Sequence, residues 1–437
     1  MSNLLPNNEL FPMCSAKNAN NHLEIGGCDV VDLVEQYGTP LYIYDEFTLR
    51  NMCEQFKSAF TSRYENTEVL YASKAFINKA IAQIIRDEGL GLDVVSGGEL
   101  FVAIDAGVDM NNVYFHGNNK SSEELEFAVK NKIGRIVVDN FYELNKLNEI
   151  AENLEVSQDI LIRVSPGIDP HTHEKTTTGI LDSKFGFSIE TGDALKAIKQ
   201  SKTLANLTFQ GVHFHLGSPI FELEPYEQGI KTVLSFTSSN NIELNEFSPG
   251  GGFAIGYVQD SLPPSVVSYA EIITKTLSST CSDLGIRPPK LVIEPGRSII
   301  GRAGVAIYTV GAIKDIPSIR KYVSLDGGMG DNVRPAMYDA KYFAVIANRI
   351  VDDPEEIVSL AGKYCESGDI LIKDIKLPVL ETGDIIAIPA SGAYSPSMAS
   401  SYNLNPRPPM VMVLEGEARL IRRREEYQDY LMFDVIK

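Results

Sequence analysis

Positive charge is in short supply in this chain. Lysine and arginine total 39 against 58 aspartates and glutamates, for a net charge of −19. A surface that acidic argues against non-specific nucleic-acid binding and against an anionic membrane surface. Cysteine is sparse as well. Cys14, Cys28, Cys53, Cys281 and Cys365 are odd in number and contain no C-x-x-C pair, which leaves no basis for a disulfide framework or a zinc knuckle and points to a reducing compartment. No run approaches the ~18 apolar residues of a membrane span. The opening MSNLLPNNELFPMC has neither a basic n-region nor an apolar h-region, so no secretory signal is expected. The expectation is a cytoplasmic protein that binds neither nucleic acid nor membrane.

What the chain does have is apolar residue in quantity, 44% of 437 positions, ample for a large core in two or three domains. Eight short apolar runs each end in a polar or glycine-rich cluster: EVLYASK (68–74), GLDVVS (91–96), NVYFHG (112–117), RIVVDN (135–140), DILIRVSP (159–166), TFQGVHFHLGS (208–218), ELNEFSPGGG (243–252) and KLVIEPGR (290–297). The first five start 21 to 24 residues apart, and stretches such as SSEELEFAVKNK fill the gaps with helix-like apolar spacing. This alternation predicts an α/β fold, a (β/α)8 TIM-like barrel, with reactive side chains at the C-terminal strand ends. Those ends carry Lys74, Asp93, His116, Asn140, Arg163, His215, Ser218, Gly250, Gly251, Gly252, Glu294 and Arg297, an inventory that suits a phosphate-bearing cofactor and an amine nucleophile. After Arg297, segments such as GVAIYTVGAI, DILIKDIKL and GDIIAIPA predict a mostly antiparallel C-terminal β-domain. The expected division is residues 1–40 as an N-terminal segment contributing to the β-domain, 41–305 as the barrel and 306–437 as the β-domain. The strand LEIGG is expected to pair with the C-terminal sheet.

Each motif admits a plain structural reading beside a chemical one. Lys74, in LYASKAF, is either a solvated surface lysine or a desolvated amine able to form a Schiff base. His213 and His215 lie two apart and face one side of a strand. H-x-H is either half a metal site or a source of one ring to stack on a planar cofactor while Ser218 donates to a phosphate. With no nearby D-x-D or E-x-x-H ligands, no metal is expected. Ser-Pro-Gly-Gly-Gly at 248–252 follows strand seven, where barrel phosphate sites commonly form. Glu294 and Arg297, in EPGR, are either an ion pair or a carboxylate for a protonated ring nitrogen beside a cation. In the β-domain, DGGMGDNVRPAMYDAKY, KYCESGDIL and SGAYSPSMASSYN interrupt the strands. Arg334 and Tyr338 are four apart and project together on one helical turn, and Arg suits a bidentate carboxylate.

Taken in order, YASKAF, GLDVVSGGEL, YFHGNNKS, VVDNFYEL, DSKFGF, HFHLGS, GGG, EPGRS, DGGM-x-DN-x-RPA-x-Y, CESGD and GAY-x-x-SMA-x-x-YN resemble the motifs of the diaminopimelate decarboxylases, which are fold-type III pyridoxal 5′-phosphate (PLP) enzymes. The match runs from about Leu23 to the C-terminus. The resemblance implies decarboxylation of meso-2,6-diaminopimelate to L-lysine by a homodimer with shared active sites. It implies that Lys74 holds PLP, with Asp93 also at the cofactor, and that His215 stacks on the ring and Glu294 pairs with the ring nitrogen. Ser218, Gly250, Gly251, Gly252, Gly296, Arg297 and Tyr394 are implied at the phosphate. Arg297, Arg334, Tyr338 and Tyr394 are implied at the substrate, Glu366 at its distal amine, and Cys365 as proton donor from the second subunit. Two departures stand out. Pro219 replaces the glutamine of H-I-G-S-Q, and Pro396 replaces the tyrosine of GAY-x-Y-S-M. A related fold-type III decarboxylase acting on ornithine, arginine or a carboxylated polyamine is the alternative.

Overall fold

The computed structural model describes residues 5–169, 178–179, 182–350 and 355–435. By packing, the chain forms two units, one of residues 52–254 and 263–298, the other of residues 1–51, 255–262 and 299–437.

The first unit is a closed barrel of parallel strands. They are Thr67–Ala72, Gly91–Val94, Val113–Phe115, Arg135–Val138, Gln158–Ser165, Leu207–His213, Glu246–Gly250 and Lys290–Ile293. Each bonds to the next in sequence, and the last returns to the first through Leu291 opposite Thr67. All eight coincide with the apolar runs. Their burial on both faces explains why the runs are continuous rather than alternating. Leu70, Tyr114, Val137, Leu161 and Val292, each at most 1% exposed, fill the interior. The polar residues after each strand often start the next helix. Asn78, Ser96, Ser121, Asn140 and Ser265 each accept a backbone N–H of the first turn, and Ser121 closes a capping box with Glu124. Asn140 is therefore a helix cap, bonded to the Glu143 N–H at 2.9 Å, and its place at a strand end has this structural cause.

The second unit is mostly antiparallel. Its long strand Gly304–Ile316 pairs antiparallel with Leu41–Asp45, Arg320–Leu325 and Ile385–Ile388. Leu41–Asp45 lies between that strand and Met410–Leu414, to which it is parallel. The N-terminal contribution to this sheet is thus Leu41–Asp45, a stretch expected at the head of the barrel. The LEIGG strand (Leu23–Ile25) instead pairs with Ser15–Lys17 and Cys28–Asp29 in a separate three-stranded sheet. Its Leu23 and Ile25 still join one apolar core with Ile43, Val305, Ile307 and Val411.

The DGGMGDN turn of this unit folds around buried carboxylates. Asp331 accepts the Gly328 N–H at 2.9 Å and faces the Tyr364 hydroxyl, and Asp369 accepts the Met329 N–H at 2.6 Å and the Tyr364 N–H at 2.8 Å. Glycines are required here, because a Cβ on Gly327 would meet Asp331 at 2.2 Å and one on Gly328 would meet Asp369 at 2.5 Å. Burial, with added repulsion from Asp326 and Asp369, raises the Asp331 carboxyl to about 7. A carboxyl raised in the folded state stabilises the fold while protonated, and that contribution is lost as pH rises through about 7. Asp331→Asn keeps an acceptor for Gly328 and removes the charge. Near pH 8 it should exceed wild type in stability by about 1–2 kcal/mol, and near pH 3.5, where the unfolded carboxyl is protonated as well, the gain should vanish. Denaturant melts at both pH values check this, and a variant no more stable than wild type near pH 8 rules the charge penalty out.

Candidate active site

Lys74 lies in the short turn Ser73–Ala75 that follows the first barrel strand. Its Nζ donates to Asp93 Oδ2 at 3.0 Å, with the lysine side chain 37% exposed and the aspartate fully enclosed. The amine is thus reachable while its counter-charge is fixed. Gly296 backs this turn so closely that a Cβ there would meet the Ala72 and Ala75 methyl groups at 2.9 and 3.2 Å.

Glu294 follows the eighth strand and is 3% exposed. Ser248 donates to its Oε1 at 2.9 Å, and His213 Nε2 lies 3.1 Å from its Oε2. His116 Nε2 stands 3.5 Å from Oε1, and the rings of His116 and His213 meet edge to face with centroids 4.8 Å apart. Burial opposes the negative charge on Glu294, but the adjacent imidazoles and the His213 hydrogen bond outweigh it and hold the carboxyl below the usual range. Desolvation pushes His116 well below the ordinary imidazole value, so that ring is neutral at pH 7.

The two histidines of H-x-H take different partners. His213 ends strand six and turns to Glu294, whereas His215 Nδ1 accepts the Gly251 N–H at 3.3 Å. His215 is also kept neutral, chiefly by desolvation and then by the Lys74 and Arg163 charges. The glycine loop makes this contact possible. Gly250 has φ +75°, and a Cβ on it would meet the Phe214 carbonyl at 2.6 Å and His215 Nδ1 at 2.9 Å. A Cβ on Gly251 would meet the Glu294 carbonyl at 2.1 Å. Arg297 extends Nε and Nη2 to 3.4 Å from Ser218 Oγ, and the Ser218–Pro219 bond is cis. The strand-end residues Lys74, Asp93, His215, Ser218, the three glycines, Glu294 and Arg297 thus all belong to one unit.

Some of the partners were not legible in sequence. Ser248 looks like part of a turn, and His116 is a distant histidine until the barrel closes. His116, His213 and Glu294 bring ligand-type atoms within 4.8 Å of one another, the third group that the H-x-H pattern lacked for a metal. An ionised Glu294 only accepts hydrogen bonds, so the near nitrogen of His213 carries a proton rather than a lone pair. Lys120, of YFHGNNKS, is buried and donates to the Gly117 and Val137 carbonyls and to Glu143 at 2.7 Å. Arg163 packs over the Phe185 ring at 4.4 Å, and Asp139, 3.8 Å from Arg163, accepts the Gly186 N–H. These contacts tie the DSKFGF segment to strands four and five.

In the other unit, Arg334 opens the helix Arg334–Tyr338 and is 6% exposed. Its guanidinium lies 4.5 Å from the Tyr257 ring centroid and 5.5 Å from that of Tyr342, whose hydroxyl it also bonds. Burial opposes its charge, but these tyrosines more than offset that and hold it above its ordinary value. Tyr257 and Tyr342 lie outside the four-residue spacing that singled out Tyr338, which is half-buried at the far end of the helix. Cys365 is exposed, as is Glu366. The Cys365 backbone is held by Asn403 at 2.9 Å and by the Tyr402 hydroxyl. Tyr394 has φ +60°, a conformation that costs a non-glycine residue about 1 kcal/mol or more and clusters at functional sites.

Residues 48–301 match the family model for the pyridoxal-dependent decarboxylase pyridoxal-binding domain. The diaminopimelate decarboxylase of Bacillus subtilis is 46% identical, over 96% of this chain and 97% of that protein. The diaminopimelate decarboxylase of a Synechocystis species is 45% identical, over 99% of this chain and 94% of that one. The crystal structure of diaminopimelate decarboxylase from M. jannaschii in complex with L-lysine superposes with a TM-score of 0.92 at 35% identity, covering 98% of each chain. A family model spanning over half the chain and relatives above 40% identity along almost all of it agree with the motif order and the barrel, and the chain belongs to the diaminopimelate decarboxylases, a branch of the pyridoxal-dependent decarboxylases.

Proposed function

We propose that this chain removes one carboxylate of meso-2,6-diaminopimelate as CO2 and leaves L-lysine, with PLP as its cofactor. The observation that carries the chemistry is Glu294, a buried carboxylate kept ionised by His213 and Ser248 in the same unit as the reachable amine of Lys74. When bound, PLP would supply an electron sink for the bond that releases CO2, most effective with its ring nitrogen protonated.

The barrel residues fit that group chemically. Lys74 would hold its aldehyde carbon, with Asp93 keeping the amine in place. His215, neutral and planar, covers a ring face. Arg297, Ser218 and the backbone at Gly250, Gly251, Gly252 and Gly296 suit a phosphate, and the resemblance adds Tyr394. Glu294 would hold the ring nitrogen and favour its protonated state. For the substrate, Arg297, Arg334 and Tyr338 take the distal carboxylate and Glu366 the distal amine. Clamping the far end fixes which Cα bond breaks. Cys365 supplies the proton to Cα after CO2 leaves. Its exposure fits a role in a second copy of the chain, in a cytoplasmic homodimer with shared sites. No helix among the described residues is long and apolar enough to cross a membrane. Ornithine has no distal carboxylate for Arg334, so the alternative substrates are not favoured.

Borohydride should fix the cofactor to wild type, visible as added protein mass, and should fail to do so in Lys74→Ala. A retained adduct in that variant removes Lys74 from the role. Inactive Lys74→Ala and inactive Cys365→Ala proteins, mixed under conditions that exchange subunits, should recover activity, because the mixed dimer owns one site with both groups. Absence of recovery despite demonstrated exchange contradicts the shared site. Arg334→Met should cut kcat/KM for meso-diaminopimelate by roughly ten- to several-hundred-fold, the loss of a charge-assisted contact. Activity on ornithine should be low in wild type and little changed in the variant. Equal loss on both substrates makes Arg334 structural.

A further inference from the structure

His213 has a buried ring whose Nδ1 finds no hydrogen-bond partner among the described residues, and its Nε2 faces Glu294 at 3.1 Å. Since Glu294 is ionised, it only accepts, and His213 must carry its proton on Nε2. The other tautomer would set a lone pair against the carboxylate and leave a buried N–H without an acceptor, and both are penalised in a buried site. One tautomer is therefore selected, and by Glu294.

Strand register explains how the second donor arrives. His213 on strand six is the direct partner of Ser248 on strand seven, and the Glu294 N–H bonds the Gly250 carbonyl beyond it at 3.1 Å. Two neighbouring strands thus present one donor to each carboxylate oxygen. A carboxylate gripped at both oxygens cannot rotate about its last bond. The ring of His213 is itself held edge-on by His116. Asp93, Arg163 and Lys74 are further charged groups that act on this cluster.

We infer that His213 is a positioning residue: its Nε2–H fixes the rotation of Glu294 and thereby aims the carboxylate at the cofactor's ring nitrogen. This rests on the proposed role of Glu294. The test uses purified holoenzyme and exploits the shape of the imidazole. Glutamine places an amide N–H near the position of Nε2, whereas asparagine places one near Nδ1. His213→Asn should lower kcat by roughly ten- to a hundred-fold with KM changed by less than about threefold. Its bound-cofactor absorbance should titrate in a pH range where that of wild type stays constant. His213→Gln should restore both the spectrum and kcat to within about threefold of wild type. In a Glu294→Gln background, His213→Asn should cost less than about twofold more, since the two residues act as one unit.

Asparagine and glutamine variants that behave alike overturn the inference and make His213 a packing residue, as does a full His213→Asn loss on top of Glu294→Gln. If His213→Asn does not fold, the glutamine variant decides alone: a wild-type spectrum and kcat support the inference, and their loss overturns it. Wild type without bound cofactor sinks the reading of Glu294 instead, and is recognised before any variant is made.

Discussion

A carboxylate enclosed to 3% exposure must either take up a proton or be bonded well enough to stay charged, because an unpaired buried charge costs several kcal/mol. Glu294 takes the second course, and much of the barrel mouth follows from it. Two oxygens need two donors, so strands six and seven must end in hydrogen-bonding residues at one level, and they do, at His213 and Ser248. The donors need a close backbone, so the chain after Ser248 turns through glycines that pass where no Cβ fits. The same glycines leave the Gly251 N–H aimed at His215, fixing that ring as well. The glycine loop, His215 and Glu294 are thus one connected hydrogen-bonded assembly.

The barrel was legible in sequence because burial on both strand faces writes continuous apolar runs, and helix caps mark where each run stops. All eight strands were found that way. The site was legible only as a set of residue types at strand ends. Lys74, Asp93, Glu294 and the glycines stood out because charge or flexibility interrupts apolar text. Ser248 did not, and His116 stood out only as a strand-end histidine with no partner in view, since what each one touches arises from register between strands far apart in the chain. Asn140 stood out for the wrong reason: a cap and a ligand look alike when only position is known.

The second unit was harder. Short strands with mixed pairing directions carry little periodic signal, and LEIGG and LYIYD are both plausible edge sequences. Only the pairing tells that the latter enters the sheet while the former pairs locally. The four-residue spacing of Arg334 and Tyr338 was real, yet the hydroxyl that bonds the guanidinium belongs to Tyr342, and Tyr257 arrives from a loop some eighty residues earlier.

That pairing has a consequence for how the chain is made. Leu41–Asp45 emerges early, but both of its neighbours, Gly304–Ile316 and Met410–Leu414, lie more than 250 residues later. At roughly 5–20 residues per second, a nascent strand waits on the order of 10–50 s for its first partner. Throughout that interval LYIYD is an apolar strand with two open edges, whereas the first barrel strand, which also waits for Lys290–Ile293 on one side, gains Gly91–Val94 on the other soon after it is made. Quality control during synthesis therefore concerns the first fifty residues as well as the barrel, and a ribosome stalled shortly after residue 300 releases a chain whose eight barrel strands are all made while both edges of Leu41–Asp45 are still bare.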